Sequence, residues 1–328
     1  MKGGENMGKS KWCFFVIVLM ALSISSGEGH AGEEVVIAQQ TWDGSIATAH
    51  VFKYVLENKL NIPAVVKPIG QPPTWVAMDK GDGSIDVKTE IWWPNEDAFY
   101  KKYIENNKTV EVSLLFGDAP QGWVVPTWVA KKYNIKNYKD LIPHAKVFDI
   151  NGDGKGDLWC GGGGWSSTQI TKIQMRDLGL EEHFSPLVLE VWVFLAQLKE
   201  AMRRQKEIAF YYWAPEWIWA KYDLTWVELP EWEESKWKYV PKKPEESHIT
   251  CGWRSAKVYT GYGVHLKKKN PVAYKFFKNV YLPMEEQSKM IAELAEVPGN
   301  PSKPPMEVAK WWVAHNPKIV GDWLKGVQ

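Results

Sequence analysis

Cysteine is scarce in this chain: three residues in 328, one of them, Cys13, inside an N-terminal apolar run. That excludes a disulfide-stapled scaffold, which needs a dense cysteine framework. Charge of one sign is also missing. Lys and Arg number 40 against 39 Asp and Glu, for a formal net charge of +1, and no basic stripe stands out. A nucleic-acid-binding surface is therefore not expected. The marked apolar run, residues 12–22 (WCFFVIVLMAL), is too short to span a bilayer comfortably. The chain lacks G-x-S-x-G, H-E-x-x-H and a phosphate loop, and its seven histidines are scattered. Nothing in it marks a familiar hydrolase or nucleotide-binding chemistry, and the expectation is a protein that is not an enzyme. No fixed-period repeat is visible, which excludes a solenoid.

What the sequence has in excess is tryptophan, 20 residues in all. An ordinary core has no use for so many indoles, since Leu and Val fill space without an N–H to satisfy. The remaining composition is that of a globular protein, 45% apolar and 24% charged, and the length suffices for two lobes with a core each. Residues 1–31 read as a cleaved export signal: Lys9 and Lys11, the apolar run, then small Gly29 and Ala31 before Gly32. The expected location is periplasmic. Cys13 leaves with the signal.

Beyond residue 32, strands and helices alternate. EVVIAQ, AVVKPI, SIDVKTEIW and VEVSLLF read as strands separated by helical stretches. A second series follows, with strands at GWVVPTWV (interrupted by Pro126), AKVFDI, LVLEV, IAFYYW and LTWVEL, then SAKVYTGYGVHL and three helical segments. Such alternation implies an α/β protein with mainly parallel sheets. The expected division is a first lobe over 32–120, a second over 121–229, and a return to the first over 230–328 through the Pro- and charge-rich stretch 230–247.

Open α/β sheets bind ligands at the carboxyl ends of their strands. Trp42, Trp92, Trp165 and Trp213 fall at such ends, and Trp123 begins the strand after GDAPQ. Converging indole faces suit a quaternary ammonium group, which donates no hydrogen bond and is attracted to the negative ring faces. Sugar stacking is the other common use of clustered tryptophan. A secreted carbohydrate-binding or glycoside-hydrolysing protein is therefore the alternative. Glu90, Glu96 and Glu216 are the acids near this edge, and nothing in the sequence pairs them as a glycosidase needs.

Taken in order, TWDGS, EIWWP, QGWVVP, KVFDINGDGKGDLWCGGGGW and YYWAPEWIWAKYDLTWVELP resemble the substrate-binding proteins of glycine betaine, proline betaine and choline ABC importers, from about residue 33 to 325. The resemblance implies a two-lobed type II periplasmic binding fold that closes on its ligand, with a membrane permease as partner. It implies a cage of Trp92, Trp165 and Trp213, with Trp42 and Asp43 matching an aromatic and an acid of choline binders, and Trp123 matching an aromatic of the crossover strand. One position departs: the betaine binders resembled carry a histidine where Glu96 stands, which favours a cation without an acid group.

The stretch 149–165, DINGDGKGDLWCGGGGW, holds further signals. Asp149, Asn151, Asp153 and Asp157, with the Lys155 carbonyl, match the first nine positions of a calcium loop, but the twelfth is Cys160 where a bidentate Glu is usual. The loop is either a calcium site or an Asx-rich turn. The glycines allow close backbone approach, and Ser166 with Gln169 reads as a capping box that aims helix N–H groups at the ligand beside Trp165. Cys160 and Cys251 are a candidate disulfide or two buried thiols.

Overall fold

The computed structural model describes residues 33–295 and 302–327; the export signal read over 1–31 lies outside the described residues. Strands β1 (Val35–Gln39), β2 (Ala64–Pro68), β3 (Val87–Trp93) and β4 (Val110–Ala119) come first. Pro120 then carries the chain into β5 (Gln121–Pro126), β6 (Gly156–Gly161), β7 (Phe184–Val188), β8 (Ala209–Trp213) and β9 (Leu224–Val227). A two-stranded ribbon, β10 (Trp237–Lys238) with β11 (His248–Ile249), precedes the return strand β12 (Ala256–Gly263).

Two five-stranded sheets result, ordered β2-β1-β3-β12-β4 and β7-β6-β8-β5-β9. Each is mixed. β1 lies parallel to β2 and β3, and β6 lies parallel to β7 and β8. The two strands that enter from the opposite sheet, β5 and β12, run antiparallel to both of their neighbours. The parallel halves come from helical crossovers within a lobe, and the antiparallel halves from the two passages between lobes. This α/β architecture places the carboxyl ends of β1, β3, β6 and β8 at one cleft.

Local chemistry explains the elements that differ from the sequence reading. Pro126 ends β5 instead of interrupting it, and a helix, Thr127–Tyr133, starts at the next residue. AKVFDI is no strand: it closes a 3-10 helix, Tyr138–Phe148, capped by a reciprocal Asn137–Asp140 box. Leu141, Ala145 and Phe148 are its buried residues, a four-then-three spacing that belongs to a helix. The strand lies instead inside the calcium-like stretch, where every residue of β6 is buried. Glycine and aspartate at its start hid it. By contrast, the helix Gln71–Lys80 ends as expected at Gly81, whose φ of 67° suits glycine.

Gly156 opens β6 under tight constraint. A Cβ there would meet Phe184 Cε1 at 2.5 Å and the Ala145 carbonyl oxygen at 2.6 Å. Because one of these atoms is backbone, the site cannot relax by turning a side chain. Gly156→Ala is expected to destabilise the protein by about 1–3 kcal/mol through overpacking. Urea denaturation checks this, and an unchanged midpoint would mean that the 3-10 helix yields freely.

Candidate functional site

The site is assembled from four indoles. Trp42 precedes the helix Asp43–Lys59 just after β1, and Trp92 lies in the last turn of pleat of β3. Trp165 precedes the helix Ser166–Asp177 after β6, and Trp213 ends β8. The rings stand edge to face in a chain. Trp42 meets Trp165 at 5.5 Å between centroids, Trp165 meets Trp213 at 5.5 Å, and Trp213 meets Trp92 at 6.4 Å. Their interplanar angles run from 72° to 81°. Two of these rings come from each lobe. They line one small cavity in the cleft.

Glycine makes room for one wall. A Cβ on Gly162 would meet Trp165 Nε1 and Cε2 at 3.1 Å, and Gly161 adopts a φ of 123°. The Trp165 ring therefore lies almost on the backbone of the glycine run.

Polar residues that the sequence reading missed complete the lining: Gln71, Asn95, Ser167 and Tyr211. Tyr211 was findable, because it sits two residues before Trp213 and so shares its sheet face. Asn95 and Gln121 exchange two amide hydrogen bonds, at 2.8 and 3.0 Å, and Tyr211 donates to Gln121 at 2.8 Å. Asn95 follows β3 whereas Gln121 and Tyr211 belong to the second sheet, so this cluster ties the lobes across the cleft.

The structure places the other expected residues elsewhere. Trp123 is buried off the cavity, and its indole N–H has no acceptor among the described residues. Ser166 forms no capping box: Trp165 takes the capping position without a side-chain bond. The Ser166 main-chain N–H donates across the cleft to Gln71 at 3.2 Å, so that amide is already engaged. Glu96 neither faces solvent nor lines the cavity. It is a buried anchor that accepts from the Trp75 indole at 2.7 Å and the Trp92 amide at 3.2 Å. It also pairs at 3.2 Å with Lys88, both side chains fully buried. Burial holds the Lys88 ammonium below its ordinary range, with Glu96 opposing that shift.

Three more acids crowd the indoles. Glu90, fully buried, accepts from the Trp42 indole at 2.5 Å and the Trp92 indole at 3.0 Å on the same oxygen, while Gln287 donates to the other. Asp43 accepts from the Trp217 side chain, and Glu216 lies beside Trp213. Burial pushes all three carboxyls above the usual carboxylate range, and Glu216 is raised further by repulsion from Asp43 and Glu90. Both Glu90 oxygens are engaged by N–H donors, so this carboxyl is a structural acceptor for the indoles.

The calcium-like loop closes on itself. Asp149 accepts from the amides of Gly152 and Gly154, Asp153 from the Lys155 amide, and Asp157 from the amides of Ile150 and Asn151. Asn151 donates its side-chain amide to Asp157 and accepts from the Asp153 amide. Its oxygens thus serve Asx turns, and no group of three or more potential metal-ligating side chains occurs among the described residues. These internal bonds occupy the oxygens that the calcium-loop pattern would offer a metal. Cys160 and Cys251 do not pair either. Both are buried free thiols, Cys160 donating to the Leu158 carbonyl and Cys251 to that of Glu233, and burial pushes the Cys160 thiol up.

A carboxyl whose folded value is raised leaves the unfolded chain with fewer bound protons over the interval between the two values. Stability then falls as pH rises through it. Glu216→Gln is therefore expected to melt above the wild type near about pH 7.5, with the gap narrowing toward about pH 5. A gap constant with pH would place Glu216 in contact with solvent. For the 149–157 loop, millimolar calcium added after chelation is expected to leave the melting temperature unchanged; a rise that Asp153→Asn abolishes would show that the loop rearranges around the ion.

The chain matches known proteins along most of its length. Residues 33–315 match the family described as the substrate binding domain of ABC-type glycine betaine transport systems. A glycine betaine/proline betaine-binding periplasmic protein of Salmonella typhimurium is 24% identical over 249 residues, covering 71% of this chain and 72% of that protein. The fold is that of lactococcal OpuAC, solved in a closed form with glycine betaine, at a TM-score of 0.69 and 20% identity over 89% of this chain and all of that one. It is equally that of an ABC-transporter choline-binding protein solved with choline, at a TM-score of 0.72 and 20% identity over 89% and 92% of the two chains. With two sheets joined by two crossings, and indoles from both meeting in the cleft, the chain belongs to the family of substrate-binding domains of ABC-type glycine betaine transport systems.

Proposed function

We propose that this chain captures a quaternary ammonium solute outside the cytoplasm and presents it to the membrane permease of an ABC importer. The observation that carries the reading is the chain of edge-to-face contacts linking Trp42, Trp165, Trp213 and Trp92. A methylated ammonium offers apolar methyls and a diffuse positive charge, and each ring face contributes about 0.5–2 kcal/mol when desolvated. Closure of one lobe on the other brings the rings around the ligand and excludes water. The apolar run at 12–22 supports export to the periplasm, and among the described residues no helix is long and apolar enough to cross a membrane.

Calorimetry of the mature protein with choline, glycine betaine, proline betaine and carnitine is expected to reveal at least one saturable binder, and a panel of sugars none. Trp213→Ala is expected to weaken that binder by about 1–3 kcal/mol. Undiminished affinity would remove Trp213 from the cage, and indifference to every methylated amine would end the reading.

A further inference from the structure

Glu90 is two residues from Trp92 on β3, does not line the cavity, and yet holds two of its walls. One oxygen of this fully buried carboxylate receives the N–H of both Trp42 and Trp92. Gln287 donates to the other oxygen, so three N–H donors converge on a group that, ionised, accepts only. Gly44 lets it sit there: a Cβ at that position would meet Glu90 at 2.9 Å and Gln287 at 2.8 Å.

The charges around the site do not balance. The ammonium of Lys88 is bonded to the Glu96 carboxylate and to the main-chain carbonyl of Glu90, so its charge is matched by Glu96. Asp43 and Glu216 add two further acids at Trp217 and Trp213. No second cation is paired with Glu90, Asp43 or Glu216 among the described ion pairs. A buried carboxylate without a countercharge is unfavourable, and a cation among the rings supplies one. An indole that donates its N–H to a carboxylate also gains electron density, which deepens the attraction of its face for a cation. A ligand carboxylate meets the opposite situation: it approaches indoles whose N–H groups already serve the Glu90 carboxylate, and the Ser166 amide at the helix start is bonded to Gln71.

We propose that Glu90 is a specificity-determining residue, acting through the Trp42 and Trp92 indoles to make the cage select a quaternary ammonium cation that carries no carboxylate over a zwitterion. The inference rests on the cage reading above and names the substrate class within it. It moves the preference for a plain cation from Glu96, which Lys88 neutralises, to Glu90.

The test is Glu90→Gln, titrated by calorimetry with choline and with glycine betaine. The substitution keeps an acceptor for both indoles, and Gln287 can accommodate it by turning its amide, since its own carbonyl oxygen is buried without a partner. The wild type is expected to bind choline at least about tenfold more tightly than glycine betaine. In the variant, choline is expected to weaken about tenfold or more, and the choline-to-betaine ratio to fall at least about fivefold. Equal loss for both ligands would mean that Glu90 only positions the rings, and would overturn the proposal; so would an unchanged ratio. Should the variant not fold, the wild-type ratio decides, and a preference for glycine betaine overturns the proposal while leaving the cage reading intact. A wild type that binds neither ligand, nor any other methylated amine, overturns the cage reading itself and the proposal with it.

Discussion

An indole is an apolar plate with one obligatory donor on its edge. When several plates turn their faces to one cavity, their N–H groups must find acceptors out of the ligand's way. That constraint organises this site. Glu90 takes two of the N–H groups on one oxygen, and the aromatic contacts that run from Trp42 through Trp165 and Trp213 to Trp92 close the circuit. Wall geometry and site electrostatics thus have one cause, because the group that orients the rings also charges their surroundings.

The surrounding fold meets this constraint with rigid elements. Trp42 and Trp165 stand at helix starts fed by buried strands, and Trp92 and Trp213 stand on the strands themselves. Lys88 and Glu96 brace the same strand end from within, and Trp75 donates to Glu96 from the preceding helix. Across the cleft, the Asn95–Gln121 amide exchange and the Gln71–Ser166 contact are neutral hydrogen bonds. Neutral bonds exchange readily for bonds to water, so these contacts across the cleft are easily broken. The raised carboxyls are the adverse side of the arrangement. Burying acids near a binding cavity lowers stability at neutral pH, a common accompaniment of function.

How much of this could be read from the chain varies with the range of the interaction. The alternation of strands and helices was legible, as were four of the five chosen indoles, because strand ends and helix starts leave local periodic marks. Trp123 was not separable from them by that rule. It shares the crossover strand with Gln121, and only packing reveals that its ring is buried off the cavity. The residues of β6 overlap a calcium-loop pattern and read as a loop, and the end of the 3-10 helix before it reads as a strand although its buried residues follow helical spacing. Glu90, Glu96 and Glu216 were visible as acids near the edge, but three carboxylates in a row of letters say nothing about which is neutralised.

The amino-acid sequence by itself determined the α/β class, the chemistry of the cage walls and the family, since these depend on residue type and on spacing along the chain. Tertiary structure alone decided the partners. Lys88 took Glu96, Gln287 and two indoles took Glu90, Gln71 took the Ser166 amide, and Cys160 and Cys251 were kept as separate thiols. The physical reason is that a hydrogen bond or ion pair is fixed by distances of about 3 Å between groups that the chain brings together from far apart, and no local pattern encodes that approach.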